Sequence, residues 1–313
     1  MHIFSSETVL SENQKINHPI LDNAQVSLYI KREDQIDKDV SGNKFRKLKY
    51  NLTEAKRLKH HTVLTFGGAY SNHITATAAA AKMVGLDSIG VIRGDELGKN
   101  IDKTLSENDT LRFANTNGMR LRFVTREDYR EKTSEAFLEK LAKEFGSFFL
   151  IPEGGTNELA VKGCEEILTK QDESFDFICT AVGTGGTISG IINSSNTSQT
   201  ILGFPALKGD FLSEEISKFT SRTNWKLVTD YHFGGYGKIN KEGVEFINDF
   251  YRQHNVLLDP IYTGKMLYGI FDMVHKGVFP KNTRILAVHT GGLQGIAGMN
   301  EKLKKKKLPL ITT

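Results

Sequence analysis

The chain has 313 residues, 39% of them hydrophobic and 25% charged, and its 41 basic and 37 acidic side chains leave a formal net charge of +4. That is the composition of a globular protein of more than one domain, without the basic excess of a nucleic-acid binder. No stretch approaches the ~18 apolar residues of a membrane span, residues 1–7 lack the apolar core of a signal peptide, and Cys164 and Cys179 have neither metal-ligand spacing nor the pattern of a disulfide framework. A cytoplasmic enzyme or binding protein without a metal is the expectation.

In chain order, the first strand-like segment is Val26–Arg32, which leads to Ser41-Gly42-Asn43-Lys44-Phe45-Arg46-Lys47-Leu48. Phe45, Leu48, Leu52 and Ala55 form the apolar stripe of an amphipathic helix, with turn and capping chemistry at Ser41, Gly42 and Asn43. Lys44 is therefore held on a fixed backbone at the mouth of a helix. Arg46 and Lys47 add positive charge, which lowers the Lys44 pKa where they lie close, and an amine that sheds its proton easily can form a Schiff base. The same run also reads as a basic helix start with solvated lysines.

Thr62–Phe66 predicts a strand that stops at Gly67-Gly68, and alanine-rich Ile74–Val84 predicts a helix. Strand Ser88–Ile92, helix Asp102–Asn115 and strand Arg120–Val124 follow. A helix striped at Phe137, Leu138, Leu141, Ala142 and Phe145 precedes strand Phe148–Ile151. Next come helix Glu158–Lys170, strand Phe175–Val182, a helix from Gly186, strand Thr200–Phe204, helix Ser213–Ser221 and strand Lys226–Thr229. Helices around Val244, Ile247 and Tyr251 and over Gly264–Lys276 lead to strand Thr283–His289 and a final helix from Leu293. The terminal lysines, 302 and 304–307, read as the solvated end of that helix, where they complement its dipole. Strands alternating with helices predict an α/β fold of open, mostly parallel sheets covered by helices, with ligands at the carboxyl ends of the strands.

Glycine clusters occupy several of those ends. In Ala181-Val182-Gly183-Thr184-Gly185-Gly186-Thr187 a buried strand gives way to a loop of little side-chain bulk and then a helix. Backbone N–H groups there form an anion cradle, to which Thr184 and Thr187 add hydroxyls. The loop lacks the Lys-Ser/Thr pair of a Walker motif, and it is not at the first strand–helix turn, where a dinucleotide fingerprint belongs. Gly67-Gly68-Ala69-Tyr70-Ser71-Asn72-His73 is again a strand end and helix start. Ser71 and Asn72 also suit plain capping, and His73 reads as a packed or surface histidine. Asp259-Pro260-Ile261-Tyr262-Thr263-Gly264-Lys265 and Val288-His289-Thr290-Gly291-Gly292 read equally as helix starts capped by Thr263 and Thr290.

Ser-Gly-Asn-Lys at 41–44, Gly-Gly-x-x-Ser-Asn-His at 67–73, Glu-Gly-Gly-Thr-Asn at 153–157, Gly-Thr-Gly-Gly-Thr at 183–187, Asp-Pro-x-Tyr-Thr-Gly-Lys at 259–265 and His-Thr-Gly-Gly at 289–292 occur in one order. The series, over about residues 20–300, resembles the D-cysteine desulfhydrase / 1-aminocyclopropane-1-carboxylate (ACC) deaminase family of pyridoxal-phosphate enzymes, of tryptophan synthase β-like fold. The resemblance implies that Lys44 holds pyridoxal 5'-phosphate covalently and that Asn72 bonds the ring 3′-oxygen. Gly183, Thr184, Gly185, Gly186 and Thr187 would take the phosphate. Ser71 and Asn72 would receive a substrate carboxylate or the ring oxygen, Tyr236 and Tyr262 would line the active site, and Thr290 would face the pyridine nitrogen. It implies two domains, with a small one (47–156) inserted into a larger one (1–46 and 157–313), and a homodimer with neither nucleic acid nor membrane as partner. The sequence departs from the family at Tyr70, where members often carry glutamine, and at 203–211, which is shortened.

The activity implied is a lyase that degrades a small amino acid, foremost D-cysteine, to pyruvate, sulfide and ammonia. Members that open the ring of ACC carry glutamate directly after the second active-site tyrosine and leucine facing the pyridine nitrogen. Here those positions are Thr263 and Thr290, the pair found in the desulfhydrases. ACC deamination and non-catalytic cofactor binding are the alternatives. A phosphate- or nucleotide-binding enzyme unrelated to pyridoxal would use the 183–187 loop alone.

Overall fold

The computed structural model describes residues 10–209 and 211–313, so the reading of residues 1–7 lies outside it, as does Asp210 within the 203–211 segment. The elements begin with β1 (Asn13–Ile16), α1 (Pro19–Ala24), β2 (Ser27–Lys31), α2 (Asn43–Arg57), β3 (Thr62–Gly67), α3 (Asn72–Val84) and β4 (Asp87–Arg93). They continue through α4 (Ile101–Glu107), α5 (Asp109–Thr116), β5 (Met119–Val124), α6 (Arg126–Arg130), α7 (Glu135–Phe145), β6 (Phe149–Ile151) and α8 (Glu158–Cys164). Then come β7 (Phe177–Val182), α9 (Gly186–Ser194), β8 (Thr200–Pro205), α10 (Phe211–Ser217) and β9 (Trp225–Leu227). The last are α11 (Lys241–His254), α12 (Thr263–His275), β10 (Arg284–Val288) and α13 (Gly295–Lys305).

These elements form an α/β fold of two sheets. One sheet runs β1–β2–β10–β7–β8–β9, with every pair parallel except β1 with β2. The other runs β5–β4–β3–β6 and is parallel throughout. β3 is buried along its whole length, as expected of a strand with helices on both faces. The alanines of α3, among them Ala76, Ala79, Ala80 and Ala81, let that helix pack closely against α2 and β3. On the larger sheet a second core gathers α11, α12 and α13 around Ile247, Leu267, Ile270 and Met299.

The elements depart from the periodicity where a side chain competes for the backbone. The helix expected over 102–115 breaks at Asn108, which is extended and accepts a hydrogen bond from the Leu111 N–H at 2.9 Å, capping α5. The helix expected over 158–170 ends at Cys164 and continues as 3₁₀ turns to Asp172. Asp172 is held there by a buried ion pair with Lys31 at 2.8 Å. β1 and α1 were not anticipated: β1 is four residues at a sheet edge with only Ile16 buried, too short to set a period.

α2 carries Lys44 into the site. All four residues of its apolar stripe are buried, but no side chain caps it: the capping position is Gly42, at φ 66. A Cβ there would lie 2.0 Å from the Thr290 carbonyl oxygen, the atom to which the Asn43 N–H donates at 3.3 Å. The 41–44 and 289–292 motifs are thus one backbone junction that only glycine permits. Arg46 turns away from Lys44, and its Nη2 lies 2.9 Å from Oε1 of the buried Glu33.

Candidate active site

The carboxyl ends of β3, β7 and β10 open on one cavity of about 680 Å³. A smaller cavity, about 300 Å³, lies against His18, His254 and Phe271, away from all six motifs. Lys44, Ser71, Asn72, Tyr236, Tyr262 and Thr290 line the larger one, together with Gly183, Thr184, Gly185 and Thr187. Gly186 sits behind the lining, where a Cβ would meet Thr156 Oγ1 at 2.9 Å and Lys47 Nζ at 3.3 Å.

The Lys44 amine is buried, and its pKa is lowered to about 7, first by desolvation and then by the positive charge of Lys47. Lys47 therefore acts as expected of it, whereas Arg46, neutralised by Glu33, is not among the groups that lower the amine. Lys44 Nζ donates to Asn43 Oδ1 at 3.1 Å, and Asn43 Nδ2 donates to Thr187 Oγ1 at 2.7 Å, tying the start of α2 to the start of α9. Lys47 Nζ donates to the Gly154 carbonyl and to Thr156 Oγ1, both at 3.0 Å. Its ammonium is thus held beside the 183–187 loop.

Gly185 immediately precedes α9 at φ 86, so the loop turns its backbone in a way L side chains resist, and the N–H groups of the helix start lie behind it. Ser71 precedes α3 without a capping side-chain bond, leaving its hydroxyl to the cavity. Asn72 Oδ1 is buried and has no hydrogen-bond partner among the described residues. His73 is packed: its Nε2 lies 2.8 Å from Thr65 Oγ1, which donates to the Ile151 carbonyl at 2.8 Å. Nε2 therefore carries the proton. Burial and the nearby Lys44 and Lys47 hold the ring neutral, with its pKa well below the usual range.

The Tyr236 and Tyr262 rings meet edge to face at 6.2 Å. Burial, with Tyr236 beside it, holds the Tyr262 phenol well above its ordinary pKa, so it stays protonated. Thr263 does not line the cavity. Its hydroxyl donates to Asp259 Oδ2 at 2.8 Å, and Asp259 also accepts the backbone N–H groups of Ile261, Tyr262 and Thr263. Asp259 thereby takes the capping role expected of Thr263. Thr290 caps nothing, since α13 starts only at Gly295, and it faces the cavity.

Several residues found here do more than the sequence announces. Asn43 reads from the sequence as a capping residue and Lys47 as a charge that lowers the Lys44 pKa; the structure adds their bonds to Thr187 and to Gly154 and Thr156. Lys265 Nζ donates to the carbonyls of His232 and Gly235, both at 2.9 Å, and so fixes the loop that carries Tyr236. Arg93, Gln294 and Lys302 also line the cavity although no motif contains them, and Glu153, from the 153–157 motif, lines it too. Lys302, although part of the exposed lysine-rich helix end, reaches the cavity.

The family model for pyridoxal-phosphate dependent enzymes matches residues 14–291. The chain belongs to this family. Among relatives of this pyridoxal-phosphate enzyme is the mitochondrial bifunctional D-cysteine desulfhydrase/1-aminocyclopropane-1-carboxylate deaminase of Arabidopsis thaliana, 32% identical over 94% of this chain and 79% of its own. A Pyrococcus abyssi protein, whose name gives 1-aminocyclopropane-1-carboxylate deaminase as a provisional activity, is 31% identical over 89% of this chain and 88% of its own. The crystal structure of an ACC deaminase homologue superposes with a TM-score of 0.80 at 29% identity, covering 97% of this chain and 98% of that one. The enzyme thus shares the tryptophan synthase β-like fold and depends on pyridoxal phosphate.

Proposed function

We propose that this enzyme eliminates sulfide from D-cysteine, giving pyruvate and ammonia. The observation that carries the reading is Lys44, whose buried amine has a pKa of about 7 in the wall of the cavity. The residues suit the cofactor. The left-handed turn at Gly185 favours glycine, the start of α9 offers N–H groups to an anion, and the Lys47 ammonium stands beside them. The unpartnered amide oxygen of Asn72 marks a buried polar position awaiting a ligand.

In this reading Lys44 holds the cofactor, Asn72 and Thr290 meet its ring, and 183–187 with Lys47 hold its phosphate. Bound there, pyridoxal phosphate supplies the electron sink for negative charge at the substrate's α-carbon. The Ser71 hydroxyl and the first N–H groups of α3 receive the substrate carboxylate. Lys44, whose pKa of about 7 leaves about half of it unprotonated at neutral pH, takes the α-proton onto Nζ. Tyr262, held protonated, donates a hydrogen bond at the reacting end. Sulfide leaves from the β-carbon, and addition of one water yields pyruvate and ammonia.

A second reading, ring opening of ACC, is favoured by the names of the relatives. The Thr290 hydroxyl in the cavity wall speaks against it, because apolar bulk is what the resemblance associates with that chemistry. We also infer a small domain over 47–156 inserted between 1–46 and 157–313. The separate four-stranded sheet supports it, although α2 runs unbroken through 46 and 47. A homodimer rests on the family resemblance, and a cytoplasmic location on the composition and on residues 1–7 lacking the apolar core of a signal peptide. The test of function is Lys44→Ala, which should lose both the visible-edge absorbance of the holoenzyme and all turnover. Turnover by Lys44→Ala with added cofactor would overturn the assignment.

A further inference from the structure

Tyr70 leads from β3 into α3, on the side of the four-stranded sheet, and lines the cavity while remaining 44% exposed. Opposite it runs α13, which follows β10 of the other sheet. Gln294, Gly298 and Lys302 are spaced four residues apart and so share one face of α13. Gln294 and Lys302 line the cavity, and Gly298 lies buried between them. The cover is the ring of Tyr70: a Cβ on Gly298 would lie 2.6 Å from its Cδ1, 2.9 Å from Cε1 and 3.1 Å from Cγ. A large half-exposed aromatic from one side of the cleft is thus seated in a notch that only glycine leaves in the helix on the other side.

We propose that Tyr70, seated on Gly298, is the specificity gate of this active site, closing the mouth over a small amino acid and excluding longer ones. The contact bridges the two sheets directly at the cavity mouth. Because the ring is only half covered, lifting it to admit substrate forfeits little apolar burial. A substrate with a long side chain needs the space the seated ring fills.

The inference rests on the proposed reading only for the choice of substrate, so the test uses two readouts on the holoenzyme. One is the ratio of kcat/KM for D-cysteine to that for S-ethyl-D-cysteine. The other is the rate at which hydroxylamine strips the cofactor, which needs no substrate. Tyr70→Ala and Gly298→Ala should each lower the ratio and raise the stripping rate by about tenfold. The double variant should match Tyr70→Ala alone, since the alanine at 298 then meets no ring. Tyr70→Phe, which keeps the ring, should stay within about twofold of wild type and serves if Gly298→Ala does not fold. Effects that multiply in the double variant, a Tyr70→Ala or Gly298→Ala enzyme equal to wild type, or a Tyr70→Phe enzyme equal to Tyr70→Ala would overturn the gate. The expected pattern of stripping rates without turnover of either substrate would uphold the gate and refute the substrate reading instead.

Discussion

Valine at Gly185 tests the phosphate cradle through a cost that can be worked out. At φ 86 the residue sits in left-handed backbone, and a Cβ there would lie 3.4 Å from Ile216 Cγ1. A non-glycine residue in that conformation costs about 1–2 kcal/mol. The two further methyls press on Ile216 and add roughly 1–3 kcal/mol. The loop can relieve both by turning away from the cavity, which withdraws its N–H groups from the phosphate. A total near 3 kcal/mol converts to about 10²-fold weaker cofactor binding. Titration of apoenzyme with pyridoxal phosphate, followed at the visible-edge band, measures it, and circular dichroism checks that the variant is folded. Ser71→Ala, which removes a hydroxyl with no capping bond, should stay within about twofold. Equal affinity in wild type and Gly185→Val would refute the cradle.

The Lys44 amine predicts a pH dependence. Its folded pKa, about 7 against 10.5 for a free lysine, means that covalent capture of pyridoxal phosphate by apoenzyme should accelerate from pH 6 to 8 and then level. Replacing Lys47 by methionine removes a positive neighbour and should move that midpoint upward; a rate still climbing tenfold per pH unit through pH 9 would contradict the assignment. Glu33→Gln leaves the buried Arg46 guanidinium without its nearest carboxylate, although Glu166 remains 3.7 Å from Nη1. Urea unfolding should report a loss of about 3 kcal/mol, and a loss under about 1 kcal/mol would mean that Glu166 compensates.

Lys44, the glycine loops and the order of strands and helices were legible because each rests on local chemistry: a turn, a helix start, a period. What was not legible depended on tertiary partners. Periodicity puts Arg46 and Lys47 alike beside Lys44, but only the fold sends one to Glu33 and the other to the 183–187 loop. Thr263 looks like a helix cap or a substrate-wall residue; the buried Asp259 claims its hydroxyl and the cap as well. Tyr70 stood out as a departure from a pattern, while its partner Gly298 carries no sequence signal, since an empty notch in a helix matters only when something fills it. The break at Asn108 belongs to the same class, set by a capping side chain.

The substrate is decided most directly by a side-by-side keto-acid assay of the holoenzyme with D-cysteine, L-cysteine, D-serine and ACC. With Thr263 tied to Asp259, the distinction falls on Thr290, whose hydroxyl stands in the cavity wall where leucine would offer only bulk. A site built for hydrogen bonding discriminates between analogues by up to ~10⁴-fold. The result expected is pyruvate with stoichiometric sulfide from D-cysteine and little or no 2-oxobutanoate from ACC. Efficient turnover of ACC with none of D-cysteine would contradict the proposed reaction.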